Sequence, residues 1–332
     1  MKKKEIISGL FIILIFKILS FYVIINNTVP EDNTYGIGLR YGDTRGYYEP
    51  MENLILHGKY ESIDGSDLRT RMPYNAIPYF VFRQFLPPQQ SFNAIVFLQM
   101  LLEVLSSLML ALLAFRLTKN KSIYWLVLFL ISFSWAISVY ANMLLSESLS
   151  ISIFIAFLYF LFEFDESKKQ LQFWLAAFCF AYVVLLKPYF GPVYAIMAIY
   201  FLFNEIAKKN KTIKTVFWVS AEKTILFFIP FVILLLPWAI YNSQKEGKFS
   251  PFYNNKIDEY YVAQRAFIWA VGGSDIYWDK KLAGSFFTAN YDSTQFKIPS
   301  YFIADSYTIE DLNNLRQDCI SYKKNPDQNK LN

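Results

Sequence analysis

Seven stretches of this chain are apolar over lengths that suit a bilayer, and that pattern limits the fold more than any single motif does. About 20 mostly apolar residues are needed to cross the hydrocarbon core. The candidates are residues 6–26, 94–115, 122–141, 147–164, 171–187, 189–206 and 222–241, about seven helices by that length. Of the 332 residues, 55% are hydrophobic, 19% aromatic and only 18% charged, which favours a membrane protein over a soluble domain. The net charge of +5 sits in short loops between apolar runs, so it reads as membrane orientation and no nucleic-acid partner is expected.

The first run follows Met1-Lys2-Lys3-Lys4, as a cleavable signal peptide would. No small-residue cleavage site follows, so we expect a retained anchor. Lys17 within it either snorkels or faces the bundle. Four basic segments then fall on one side: Lys2 to Lys4; Arg116, Lys119 and Lys121; Lys168 and Lys169; and Lys208, Lys209, Lys211 and Lys214. Cytoplasmic loops carry such an excess, so the amino terminus is expected inside. The loop 27–92 and the segment 242–332 then lie on the extracytoplasmic side, with residues 1–241 forming the membrane core.

That first loop is too long for a mere connector. Glu49 to Leu56 reads as a short amphipathic helix, with Gly58 near its stop. Met72 to Phe80 begins a second, aromatic-rich segment suited to the headgroup region. Cys179 lies in an apolar run and Cys319 in a polar one, which is neither a disulfide framework nor a zinc motif. His57 is the single histidine, so a histidine metal site or a Ser-His-Asp triad is not expected.

The polar residues near the extracytoplasmic face are the candidate site. Asp43 stands in Gly42-Asp43-Thr44-Arg45-Gly46-Tyr47-Tyr48; Asp in a Gly-flanked loop is also a common turn residue. Arg69, Arg71 and Arg83 follow as a basic cluster, and arginine forks match phosphate oxygens, although a solvated loop or a headgroup contact would use them equally. Glu147 opens the fourth run, where Ser146 as a helix cap would be the plain alternative; an arginine or lysine of the first loop is its expected partner. Lys187 precedes Pro188 on the side where positive charge is unfavoured, which suggests either snorkelling or a held phosphate. Pro188 and Gly191 suggest a break and a tight turn there. Glu103, mid-span one turn after Gln99, is an intramembrane acid, for which helix–helix bonding is the expected role.

In this order the motifs resemble the polytopic C-type glycosyltransferases (GT-C fold), in particular bacterial relatives of the protein O-mannosyltransferases and of the lipid A aminoarabinose transferase. The matching elements are Gly42-Asp43-Thr44 with Tyr47-Tyr48, Asn53-Leu54 running to Gly58-Lys59-Tyr60, and Arg69-Thr70-Arg71-Met72-Pro73 running to Pro78. Farther on come Ser146-Glu147, Leu186-Lys187-Pro188-Tyr189, and Pro237-Trp238 to Asn242. The resemblance covers residues 1–255 or so. It implies an α-helical bundle in a bacterial plasma membrane with a helical extracytoplasmic first loop. It also implies an inverting hexosyl or pentosyl transferase that uses a polyprenyl-phosphate sugar and an acceptor hydroxyl on a glycan, lipid or protein. Asp43 would be the general base. Arg69, Arg71, Lys187, Glu147, Tyr47 and Tyr189 would bind the donor phosphate and substrate. No cofactor and no metal site is implied, with divalent-metal dependence left open.

Two departures qualify the resemblance. The family commonly has two adjacent acids in the first loop, and here the second position is Thr44. Family members also continue with several more helices, so a truncated, inactive product is one expectation and a short variant the other. A different class remains open: a transporter or flippase subunit for lipid-linked glycans would use the same basic lip, though no internal repeat supports it. A structural scaffold would leave Asp43 dispensable.

Overall fold

The computed structural model describes residues 1–28, 35–39, 44–61, 72–208 and 212–251, with single positions at 310, 314 and 317. The chain divides into two units, Met1–Tyr253 and Asn254–Asn332; of the second, only Glu310, Asn314 and Gln317 are described. The first unit opens with α1 (Lys3–Thr28), α2 (Thr44–His57), α3 (Ile77–Arg83), α4 (Pro88–Thr118) and α5 (Lys121–Ser132). It continues with α6 (Trp135–Asn142), α7 (Ser146–Ser167), α8 (Gln170–Leu186), α9 (Val193–Ile206) and α10 (Ile213–Glu246). Short 3-10 turns, Pro73–Ala76 and Pro188–Phe190, precede α3 and α9. Among the described residues there is no strand, only a parallel bridge between Leu39 and Met143.

All seven expected stretches are helical, and five helices are long and apolar enough to cross a membrane. The protein is an α-helical polytopic membrane protein. Three spans differ from expectation. The stretch 122–141 is two helices, α5 and α6, bent by 51° at their junction. Lys121 pairs with Glu5 at 2.6 Å at one end, and the Leu39 N–H donates to the Asn142 carbonyl at 2.8 Å at the other. The broken pair therefore runs from one end of the bundle to the other. The stretch 171–187 is α8, only 17 residues long and short of the roughly 20 a span needs. It still runs the length of the bundle antiparallel to α7, enclosed by its neighbours, with Ala176, Ala177, Phe180, Ala181 and Val183 fully buried. The last span is longer than expected, since α10 continues through Pro230 and Pro237.

The described residues of the four basic segments come to one end of the bundle. Arg116 closing α4 pairs with Glu163 and Glu166 closing α7, while Tyr200 and Asn204 of α9 donate to Asp165. The turn between α7 and α8 is tight, with Lys168 in the left-handed region at φ 55°. That antiparallel hairpin sets the start of α7 beside the end of α8. Around Phe227 of α10 gather Phe157, Phe173, Phe180, Tyr194 and Phe201, with ring centroids 5.6–6.3 Å away. Between helices in lipid, van der Waals packing supplies cohesion that water would otherwise drive. Phe11, Ile18, Phe129, Ile199 and Phe217 are turned outward, as lipid-facing residues are.

Opposite the basic end, the described residues 44–57 and 73–83 of the first loop are helical, as expected. α2 starts at Thr44, five residues before the expected helix, and closes at Gly58, whose φ is +70° and whose N–H donates to the Leu54 carbonyl at 3.0 Å. The Met72–Phe80 segment is the 3-10 turn leading into α3. Gly191 lies in the expected turn before α9, with φ −47°, an ordinary value that any residue adopts. Pro188 does end α8, as its missing N–H and ring require.

Candidate functional site

Pro188 determines the conformation of Lys187. A residue before proline is pushed out of the helical region, and Lys187 has φ −141° and ψ 87°. Its chain thereby leaves the α8 axis, and its ammonium forms an ion pair with Glu147 in the first turn of α7. The expected partner for Glu147 was a cation of the first loop; the α7–α8 hairpin brings Lys187 instead. Ser146 does not cap α7 either. The capping position is the extended Leu145, with no side-chain capping bond, and Ser146 is the first helical residue. Its hydroxyl faces the Tyr47 hydroxyl of α2 at 3.3 Å and the Glu147 carboxylate at 3.5 Å. Tyr47, Ser146, Glu147 and Lys187 thus lie in a row that joins α2 to the ends of α7 and α8.

Asp43, Arg69 and Arg71 lie outside the described residues. The next residue after Asp43, Thr44, opens α2 and is fully buried. Arg83, the third cation of the expected cluster, is engaged elsewhere. It grips the Glu52 carboxylate through Nε at 3.0 Å and a terminal nitrogen at 2.8 Å. That fork ties α3 to α2 and holds the guanidinium charge more firmly than usual. Tyr79 adds a hydrogen bond to the same carboxylate at 2.9 Å. Tyr189 is 69% exposed, its ring 4.8 Å from that of Phe190.

Several residues that sequence reasoning passed over hold this end of the molecule. The Tyr182 hydroxyl of α8 donates to the Tyr74 carbonyl at 2.7 Å, and the Tyr74 hydroxyl donates to the Leu234 carbonyl of α10 at 2.7 Å. A tyrosine near the end of an apolar run was the available signal for both, since such rings keep a polar tip. Burial pushes the hydroxyls of Tyr48, Tyr74 and Tyr79 above the ordinary tyrosine range, and donation to Glu52 raises Tyr79 further. All three stay protonated, and Tyr74 and Tyr79 serve as donors. The Asn75 amide lies close to the Tyr48 hydroxyl without hydrogen-bonding geometry, and the Asn242 amide is fully buried with no partner. Buried amides normally have partners, so both hold unspent bonding capacity.

Beside these residues opens an apolar groove of about 350 Å³, lined by Leu54, Tyr60, Tyr74, Ile77, Leu234 and Trp238 among others. α2, the 3-10 turn, α3 and the last span all contribute to it. The α10 wall is fixed by Tyr241, whose hydroxyl both donates to the Tyr60 carbonyl and accepts from its N–H at 3.3 Å.

The Alg9-like mannosyltransferase family model matches residues 72–254, more than half of the chain. That stretch includes Glu147, Lys187 and the whole α10 wall. No curated protein and no solved structure matches.

Proposed function

Given that the chain belongs to the Alg9-like mannosyltransferase family and is a membrane glycosyltransferase, we propose that it moves a sugar from a polyprenyl-phosphate carrier to an acceptor hydroxyl on the extracytoplasmic side. The observation that carries this reading is the Glu147–Lys187 pair, a cation set at a helix end beside Ser146 and beside Tyr47 of α2, the helix that follows Asp43 in the chain. The sidedness follows from the four basic segments at the opposite end, which the positive-inside rule assigns to the cytoplasm. Mannose is the first sugar to offer, from the name of the family.

In this mechanism Asp43 takes the proton of the acceptor hydroxyl. The freed oxygen attacks the anomeric carbon from the face opposite the phosphate, and the bond from that carbon to the phosphate oxygen breaks. Its electron pair leaves with the polyprenyl phosphate, and the configuration inverts. Lys187, with Arg69 and Arg71, meets the charge that grows on the departing phosphate; preorganised cations favour that transition state. Glu147 holds Lys187 in place until the donor arrives. The apolar groove beside Trp238 suits the first isoprene units of the carrier, because its walls are almost wholly apolar and it opens at the level of the site. Tyr47 and Tyr189 would meet the sugar and the donor at the rim.

The test is transfer of label from radiolabelled polyprenyl-phosphate mannose in membranes. Asp43→Asn keeps the shape but cannot take a proton, so turnover falls by about 10²-fold or more while donor binding stays. Wild-type turnover in Asp43→Asn would remove Asp43 from the mechanism. Movement of the donor across the membrane with no transfer would bring the transporter reading forward.

A further inference from the structure

The break between α5 and α6 is crossed by a buried ion pair. Lys17 of α1 and Glu103 of α4 are 1% and 3% exposed, with Nζ and Oε1 2.6 Å apart. The same ammonium donates to the Ile131 carbonyl in the last turn of α5 at 3.0 Å and to the Ser138 hydroxyl of α6 at 2.8 Å. Ser138 in turn donates to Glu103 at 3.2 Å. A break inside an apolar span frees carbonyls that must find donors, and a cation at a helix carboxyl end also complements the dipole. One side chain of α1 does both here.

Stability alone is a weak reason for such a pair, since apolar residues of similar volume often serve as well. What the pair fixes is the direction of α6. One turn before Glu103, Gln99, with its amide nitrogen turned toward α6, donates to the carbonyls of Ala141 at 2.8 Å and Met143 at 3.2 Å. Leu39 then brackets the end of α6, its N–H donating to Asn142 at 2.8 Å and its carbonyl accepting from Leu144 at 3.2 Å. The fit is close: a Cβ on Gly38 would stand 2.7 Å from the Leu144 side chain. Leu39 lies four positions before Asp43, and Met143 four before Glu147.

We infer that Lys17, Glu103 and Ser138 are positioning residues: they brace the broken span so that α6 holds Leu39 and the start of α7 in register. The catalytic consequence rests on the glycosyl-transfer reading, whereas the brace itself does not. Residues facing each other across a bridge lie about 5 Å apart between strands, within disulfide reach. The probe is therefore the pair Leu39→Cys and Met143→Cys, in the full chain with Cys179→Ser and Cys319→Ser, oxidised in membranes. Two variants are compared. Lys17→Met/Glu103→Met removes both charges without stranding either, and Ser138→Ala keeps the ion pair but cuts its link to α6.

The double variant is expected to insert and to melt within a few degrees of the parent, yet to cross-link several-fold more slowly. Without the cysteine pair, its turnover falls by about 10-fold while KM for polyprenyl-phosphate mannose moves less than about threefold, the signature of misplaced catalytic groups. Ser138→Ala is expected to show the same changes in smaller degree, and it decides the matter if the double variant fails to insert. Parental cross-linking, or slowed cross-linking with parental turnover, overturns the inference. A parent that transfers no sugar sinks the glycosyl-transfer reading, and the cross-link still decides the brace.

Discussion

At the scale of single residues, the ion pair of Lys187 and Glu147 has different consequences for each partner. The phosphate that Lys187 meets is present both before and during transfer, so Lys187→Ala is expected to raise the donor KM and lower kcat together. The combined loss in kcat/KM should be on the order of 10²-fold, as for removal of one preorganised donor. Glu147→Gln keeps the shape and one hydrogen bond, so its loss should be smaller, about 10-fold, and mostly in KM. Steady-state kinetics of both variants with polyprenyl-phosphate mannose checks this; an unchanged KM in Lys187→Ala would detach the lysine from the phosphate. Lys187 was legible because a cation on the side expected to be extracytoplasmic needs a reason. Its partner was not, because Glu147 and Lys187 are 40 positions apart and only the α7–α8 hairpin makes them neighbours.

At the scale of helices, two contacts differ in kind. Phe227 sits fully buried among rings from α7, α8 and α9, so Phe227→Ala opens a cavity that its rigid neighbours cannot fill. The expected loss is about 3 kcal/mol, read from unfolding in mixed detergent micelles. Arg83→Ala cuts the charged fork between α3 and α2. Both partners are partly exposed, which limits the loss to about 1 kcal/mol, seen as a small drop in Tm. Its effect on transfer should be slight, since Arg83 is committed to Glu52 and is not free for phosphate. A large fall in donor affinity for Arg83→Ala would restore it to the basic cluster. Helices α1, α4, α7 and α10 were readable from apolar length alone. The bend between α5 and α6 was not, because Phe133 and Ser134 carry no proline or glycine, and the break is held by side chains from α1 and α4.

For the whole molecule, the basic segments at one end predict that loop 27–92 and the segment after Asn242 share the opposite side. Single cysteines at Ser66 and Ser293, with Cys179 and Cys319 replaced, are expected to react alike with a membrane-impermeant reagent in intact cells. Labelling of only one would overturn the arrangement. The amino-acid sequence by itself determined the solvent, the places of the helices and the end that collects positive charge, because these depend on local hydropathy and on charge counted along the chain. It also marked Glu147 and Lys187 as residues out of place at a membrane face. Only the tertiary structure decided their pairing, the engagement of Arg83 by Glu52, the enclosure of the short α8 and the burial of Lys17 against Glu103. Each of these depends on which helices lie side by side, and in an apolar solvent that follows from close packing and from polar groups seeking partners across the bundle, neither of which is written in the order of residues within one helix.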